Sequence, residues 1–245
     1  MKVYCFDLDG TILFKNNNNY HIYPQTIKLL KYLSSIPSNV LILSTGRMKV
    51  DNAQYAKIRK YFHFFGYLNG ALIYKRNHLI KQYSFSKRQL QEIALYAQAH
   101  NIYTIFQGIS KTYTMVNNNN INLEYYSDYN VLINDYQQIL NKKISSISII
   151  TKDTFFTSFH GVRLYPWKLG GAHLLPNTNK SDLLDTFKDY QIITIGDGLN
   201  DLENLKKSDI SIIYEDSPFV LRGIAKYICL QKDKLFDFYE EHDLL

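Results

Sequence analysis

The chain has 245 residues, 46% of them hydrophobic, with 28 Lys and Arg against 22 Asp and Glu, a formal net charge of +6. That length allows a core domain plus one inserted module, while no apolar run reaches the ~20 residues of a membrane-spanning helix. The lysines are scattered, no Arg/Lys-rich arm occurs and the 21 tyrosines form no base-stacking motif, so the basic charge reads as a surface that draws in anionic substrates, not as a nucleic-acid site.

A strand over residues 2–7 opens the chain, and Val3-Tyr4-Cys5-Phe6 runs into Asp7-Leu8-Asp9-Gly10-Thr11 before any signal-peptide apolar region forms. If strand alternation continued, Asp7 and Asp9 would fall on one side, aimed at the crevice beyond the carboxyl edge of an open α/β sheet. Two carboxylates there can divide phosphoryl transfer between them, one attacking phosphorus and one handling the proton, and together they can hold a hard cation such as Mg²⁺. Asp and Gly are also ordinary turn formers, so a plain turn is the competing reading. Asn16 to Asn19 read as a loop of biased composition, followed by a helix over 24–35. A second strand, 39–44, ends in Ser44-Thr45-Gly46-Arg47 ahead of a helix over 50–61, an arrangement that suits an oxyanion or, with no ligand, a simple N-cap. A short strand over 64–67 and a hairpin across 71–84 follow.

The middle of the chain reads as helix 86–100, strands 102–107 and 111–116, a helix near 133–142, and strands 144–150, 159–165 and 172–176. This is a mixed α+β unit suited to act as a lid. Asn117 to Asn120 read as another loop. Three features here bear on substrate choice: the aromatic group Phe155, Phe156, Phe159 with His160; Arg163; and Trp167-Lys168 before Gly170-Gly171. For the aromatic residues, packing into the unit's own core is the competing reading.

Lys180, in Asn177-Thr178-Asn179-Lys180-Ser181-Asp182, stands at the start of an amphipathic helix that runs to Phe187. A lysine there is ordinarily a solvated surface charge, but a site with several carboxylates and a phosphate dianion needs a fixed cation. Strand 191–195 then ends in Gly196-Asp197-Gly198-Leu199-Asn200-Asp201, whose glycines allow close backbone approach and whose side chains supply oxygen donors. The loop lacks the alternate ligands and closing glutamate of an EF-hand. Alternation of strands and helices in the outer parts implies a parallel sheet. Cys5 and Cys229 read as small buried apolar residues, and the seven histidines show no zinc-ligand spacing. A soluble cytoplasmic protein is expected.

Asp7-Leu8-Asp9-Gly10-Thr11, Ser44-Thr45-Gly46-Arg47, Lys180 and Gly196-Asp197-Gly198-Leu199-Asn200-Asp201, in that order, resemble the motifs of haloacid dehalogenase (HAD) superfamily phosphatases. Leu68-Asn69-Gly70-Ala71 is similar to a turn of their Cof-type (HAD-IIB) branch. The resemblance implies an α/β, Rossmann-like core over 1–80 and 178–245 with an α/β cap over 81–177. It makes Asp7 the nucleophile and Asp9 the acid and base, with Mg²⁺ on the Asp7 carboxylate, the Asp9 main-chain carbonyl and the Asp197 carboxylate. Thr45, Gly46, Lys180 and Asn200 would hold the phosphoryl oxygens, and Asp201 would orient water or Lys180. Lys180-Ser181 stands where the branch commonly has Lys-Gly. The expected activity is hydrolysis of small phosphorylated metabolites, sugar phosphates first. The alternatives are a phosphotransferase or mutase of the superfamily and a non-catalytic regulator that binds phosphometabolites.

Overall fold

The computed structural model describes residues 1–17, 19–48, 53–109, 111–115, 130–133, 135–151, 157–166 and 171–245. Within this range the chain divides into two compact units, Met1–Ile80 with Lys180–Leu245, and Lys81–Asn179. The first is built on an eight-stranded sheet in the order Tyr227–Cys229, Ile210–Tyr214, Gln191–Ile195, Lys2–Phe6, Val40–Ser44, Phe64–Tyr67, Leu72–Lys75, His78–Gln82. The strands from Tyr227–Cys229 to Phe64–Tyr67 are mutually parallel, and Leu72–Lys75 turns back antiparallel. Their sequences explain why: Val-Leu-Ile-Leu-Ser and Ile-Ser-Ile-Ile-Tyr are buried almost without alternation, the pattern of strands covered on both faces.

From Lys2–Phe6 the chain first builds outward on one side, through Val40–Ser44 and Phe64–Tyr67, and later returns to Gln191–Ile195 on the other side. The first strand therefore lies at the topological switch point, where open α/β sheets form their ligand crevice. The helix Pro24–Ser35 starts with proline in its first turn and buries Thr26, Leu29, Leu30 and Leu33, one stripe at helical spacing. It packs against the helix Leu235–Glu241, where Gln25 donates to Asp237 at 2.7 Å and Lys28 sits 3.7 Å from the centre of the Phe236 ring.

The second unit has a six-stranded sheet in the order Asn130–Ile133, Thr112–Met115, Tyr103–Gln107, Ser146–Ile150, Ala172–Pro176, Val162–Pro166. All its pairings are antiparallel except the one between Asn130–Ile133 and Thr112–Met115. Its helix, Lys87–Ala99, is capped by Ser86, whose hydroxyl accepts from Gln89 N while the Gln89 side chain accepts from Ser86 N. Leu90, Ile93, Ala94 and Ala97 from that helix join Phe106, Ile147, Ile149 and Leu174 from the sheet in one core.

Several expectations change. The helix read near 133–142 is one 3₁₀ turn, Tyr136–Ile139, capped by Asp135, because Ile133 belongs to a strand and Asn141 follows before a second turn can add burial. The strand read from 159 begins at Val162, since Gly161 has φ of +67° and Val162 N bonds back to Phe159 O in a turn. The first asparagine run is not a simple loop: Asn16 pairs with Asn19 across a short antiparallel ribbon, and Asn17 takes the positive φ that asparagine tolerates. The helix expected over 50–61 is described from Ala53 and stops at Arg59. Phe159 is buried in the core of the second unit, and His160 and Arg163 are exposed. Asn117 to Asn120, Phe155, Phe156, Trp167, Lys168 and Gly170 lie outside the described residues. Cys5 and Cys229 are buried free thiols. No helix among the described residues is long and apolar enough to cross a membrane.

Ser86→Ala is expected to lower the unfolding free energy in a urea titration by about 1 kcal/mol, the usual worth of an N-cap side chain. Thr26→Val is expected to hold or raise it, because Thr26 is fully buried and its hydroxyl has no hydrogen-bond partner among the described residues.

Candidate active site

Phe6 is in register with Leu43 on one side and Ile195 on the other, so the residues that follow on three parallel strands, Asp7, Ser44-Thr45 and Gly196-Asp197, emerge at one edge of the sheet. The strand ends at Phe6, earlier than alternation through Asp9 requires, and Asp7 N donates to Ile195 O at 3.0 Å. Asp7 and Asp9 therefore sit on the loop and have different partners, a correction to the expected common alignment.

Lys180 is 1% exposed and its ammonium donates to Asp7 Oδ1 at 2.5 Å and to Asp201 Oδ1 at 2.7 Å. Oxygens of Asp7, Asp197 and Asp201 all lie within 4.8 Å of one another. Asp201 also accepts, through Oδ2, from the main-chain N–H groups of Asp197 at 3.2 Å and Gly198 at 3.0 Å. One ammonium thus stands among three carboxylates. Burial drives the Asp7 carboxyl well above the usual carboxylate range, with Asp201 adding to the rise and Lys180 opposing it. Asp197 is pushed up to about 6, first by burial and then by Asp201, against the pull of the Thr11 hydroxyl and Lys180. Burial alone would lower the Lys180 pKa, but Asp201 and Asp7 override it and hold the ammonium firmly protonated.

The approach of these groups requires missing side chains. Gly10 has φ of +80°, and a Cβ there would lie 2.3 Å from Asp197 Oδ2; a Cβ on Gly196 would lie 2.6 Å from Asp201 Cγ. Thr11 Oγ1 donates to Asp197 Oδ1 at 2.9 Å. Thr45 is buried, its N–H donates to Gly66 O at 2.8 Å, and its carbonyl accepts from Asn69 N at 2.9 Å. Leu68, Asn69 and Gly70 all have positive φ, which turns the Asn69 amide toward the site: its Oδ1 accepts from Asn200 Nδ2 at 3.1 Å and would lie 3.1 Å from a Cβ on Gly46. Thr45, Gly46 and Asn200 are thus tied together through Asn69, whereas Asp7, Lys180, Asp197 and Asp201 form the charged cluster.

Asp9 stands apart from that cluster. Its carboxylate receives a two-pronged ion pair from Arg47, Nε to Oδ2 at 2.7 Å and Nη2 to Oδ1 at 2.6 Å. Arg47 in turn donates to Tyr20 OH at 3.0 Å and lies 4.9 Å from the centre of the Tyr20 ring. Sequence reasoning gave no role to Arg47, Thr11, Tyr20 or Asn69. Arg47, Thr11 and Asn69 were signalled by their places inside the motifs; for Tyr20, which arrives through the ribbon Phe14–Asn16 with Asn19–His21, no local signal exists.

Residues 4–160 match the family model of haloacid dehalogenase-like hydrolases. The chain belongs to that family. Solved structures share its fold from end to end. They include the HAD subclass IIB sugar phosphatase BT4131 (17% identity, 100% of each chain, TM-score 0.81) and BT1666 from Bacteroides thetaiotaomicron, a HAD-superfamily phosphatase (17% identity, 100% of this chain and 96% of that one, TM-score 0.82). TM0651 from Thermotoga maritima also has this fold (18% identity, 99% of this chain and 97% of that one, TM-score 0.76). No curated protein is matched. This HAD-family chain therefore has the subclass IIB fold, an α/β core of Rossmann-like type.

In metal-free buffer Lys180→Met is expected to cost about 3–5 kcal/mol of stability at pH 8, the penalty for a buried ion pair left with one partner. Without the ammonium, which opposes the rise that burial imposes on Asp7, Asp7 binds its proton still more readily in the folded state than in the unfolded one, so the variant's stability falls as pH rises. Urea unfolding with EDTA should find the deficit against the native protein smaller at pH 5 than at pH 8.

Proposed function

We propose that the chain is a Mg²⁺-dependent phosphoric monoester hydrolase of the cytoplasm that acts on small phosphorylated metabolites, sugar phosphates foremost, through an acyl phosphate on Asp7. The observation that carries this reading is the buried Asp7–Lys180–Asp201 cluster with Asp197 beside it, at the switch point of a sheet whose family is hydrolytic. The fold shared with a sugar phosphatase supports ranking sugar phosphates ahead of other substrates. On this reading Met1–Ile80 with Lys180–Leu245 is the catalytic core and Lys81–Asn179 the cap.

The donor set fits a hard divalent cation. Three carboxylates lie within 4.8 Å of one another beside a single ammonium, and burial, with Asp201 adding to it, makes Asp7 and Asp197 weaker acids than usual, a cost that a bound cation offsets. Asp7 and Asp197 would hold Mg²⁺ through their carboxylates and Asp9 through its main-chain carbonyl, while Asp201 stays committed to Lys180 and the loop N–H groups. Bound there, the ion supplies charge neutralisation for the incoming phosphate.

The remaining work falls to the chain's own groups. The Asp7 carboxylate attacks phosphorus in line with the departing alcohol, and Asp9 gives that alcohol its proton. Asp9 then takes a proton from the water that attacks the phosphoaspartate, which releases phosphate and restores Asp7. Arg47, braced by Tyr20, sets where the Asp9 carboxylate rests between these steps. Thr45, the Gly46 N–H, Lys180 and Asn200 hold the phosphoryl oxygens, since phosphoryl transfer is chiefly positioning and charge stabilisation.

Phosphate release from a panel of sugar phosphates, nucleotides, pyridoxal phosphate and flavin mononucleotide is the test. EDTA should abolish release and Mg²⁺ restore it, and Asp7→Asn should remove at least about 10³-fold of the rate. Interconversion of sugar-phosphate isomers without phosphate release would replace this reading with a mutase, and binding without either reaction would replace it with a regulator. Asp9→Asn should lower kcat/KM, which reports the first step alone, by about 10²-fold or more for alkyl phosphates and far less for p-nitrophenyl phosphate, because a good leaving group needs no proton. Equal losses on both substrates would remove Asp9 from the acid role.

A further inference from the structure

The opposite edge of the core sheet carries a second concentration of charge. Val40–Ser44 and Phe64–Tyr67 run parallel, so residues preceding them lie at the end of the sheet away from Asp7. Leu72–Lys75 pairs antiparallel with Lys75 opposite Phe64, which returns the Arg76-Asn77 turn to that same end. The last turn of the helix Ala53–Arg59 arrives there as well. Together these segments line an open cavity of about 590 Å³, with Arg59, Lys60, His63, Phe65, Arg76 and Asn77 among its walls and no carboxylate.

Two cations elsewhere in this unit, Lys207 and Lys232, each sit 2.6 Å from an aspartate oxygen. Among the described residues Arg59, Lys60 and Arg76 form no ion pair. Arg59 is nonetheless fixed in place. Its Nη2 donates to Asn77 Oδ1 at 2.6 Å and its guanidinium lies 5.6 Å from the centre of the Phe65 ring, while its Nε is buried with no hydrogen-bond partner among the described residues. His63 Nδ1 accepts from Leu41 N at 3.0 Å, which makes Nε2 the proton-bearing nitrogen of the ring. Like charges gathered around a cavity repel one another, and one anion relieves that repulsion.

We propose that this cavity binds a small phosphorylated metabolite, its phosphate held by Arg59 and Arg76 with Lys60 and the Nε2–H of His63 completing the donors. Guanidinium forks match phosphate oxygens in pairs. A volume of about 590 Å³ exceeds what a phosphate ion alone occupies and falls within the range of small-molecule sites, which leaves room for an organic body beside the phosphate. The site is separate from the carboxylate cluster, and its existence does not depend on the phosphatase reading.

Isothermal titration with ADP, in EDTA to prevent turnover, tests this on the folded full-length chain. The native protein should show one saturable site. Arg76→Glu and Lys60→Glu should each weaken it by about tenfold or more, while Lys31→Glu, the same charge change at an exposed position on the helix Pro24–Ser35, should leave it intact. Arg76 and Lys60 are exposed, so these variants keep the fold where a change at Arg59 risks it. Unchanged affinity in Arg76→Glu and Lys60→Glu, equal weakening by Lys31→Glu, or no saturable binding to the native protein would overturn the proposal. So would tighter binding of duplex DNA than of ADP, lost in the same two variants, which would assign the face to nucleic acid.

Discussion

A single buried ammonium organises the carboxyl edge of the core sheet. Lys180 lies 173 residues after Asp7 and 21 before Asp201, yet it holds both at hydrogen-bond distance in a space closed to water. Neither carboxylate tolerates that burial alone, and neither does the lysine. The ends of the first and later strands must therefore arrive together, and the parallel register of Lys2–Phe6 with Gln191–Ile195 brings that about. The strands supply the alignment through ordinary apolar burial, and the ion cluster at their ends makes one alignment acceptable and its neighbours costly.

Around that cluster the backbone gives way wherever a side chain would intrude. Gly10 and Gly196 lack the Cβ atoms that Asp197 and Asp201 would meet, and the left-handed run Leu68, Asn69, Gly70 carries the Asn69 amide toward Asn200. Positive φ at a leucine is strained, and the surrounding hydrogen bonds, Leu68 N to Arg47 O and Asn69 N to Thr45 O at 2.9 Å each, hold it there. The loop after the second strand and the turn after Phe64–Tyr67 are thus one braced structure.

Much of this was legible in the sequence because the apolar runs and the residues ending them are local signals. Helix Pro24–Ser35 and strand Phe64–Tyr67 fall on the residues their patterns indicate. Asp7, Asp197, Asp201 and Lys180 could be picked out by residue type and position, but their mutual distances are long-range facts. The partner of Asp9 was the least legible. Alternation suggested a shared face with Asp7, yet the strand stops at Phe6 and the Asp9 carboxylate meets Arg47, which is oriented by a tyrosine on a ribbon of asparagine-rich sequence. In the second unit the helical pattern near 133–142 failed for a related reason: short segments take their conformation from neighbours, and a strand had already claimed Ile133.

The central claim is that Asp7 carries the phosphoryl group during turnover. Acid quenching of the enzyme in the steady state with a ³²P-labelled substrate, followed by peptide mapping, tests it most directly. The account predicts an acid-stable, hydroxylamine-labile label on the peptide containing Asp7; turnover that leaves the protein unlabelled, or that labels another residue, would contradict it.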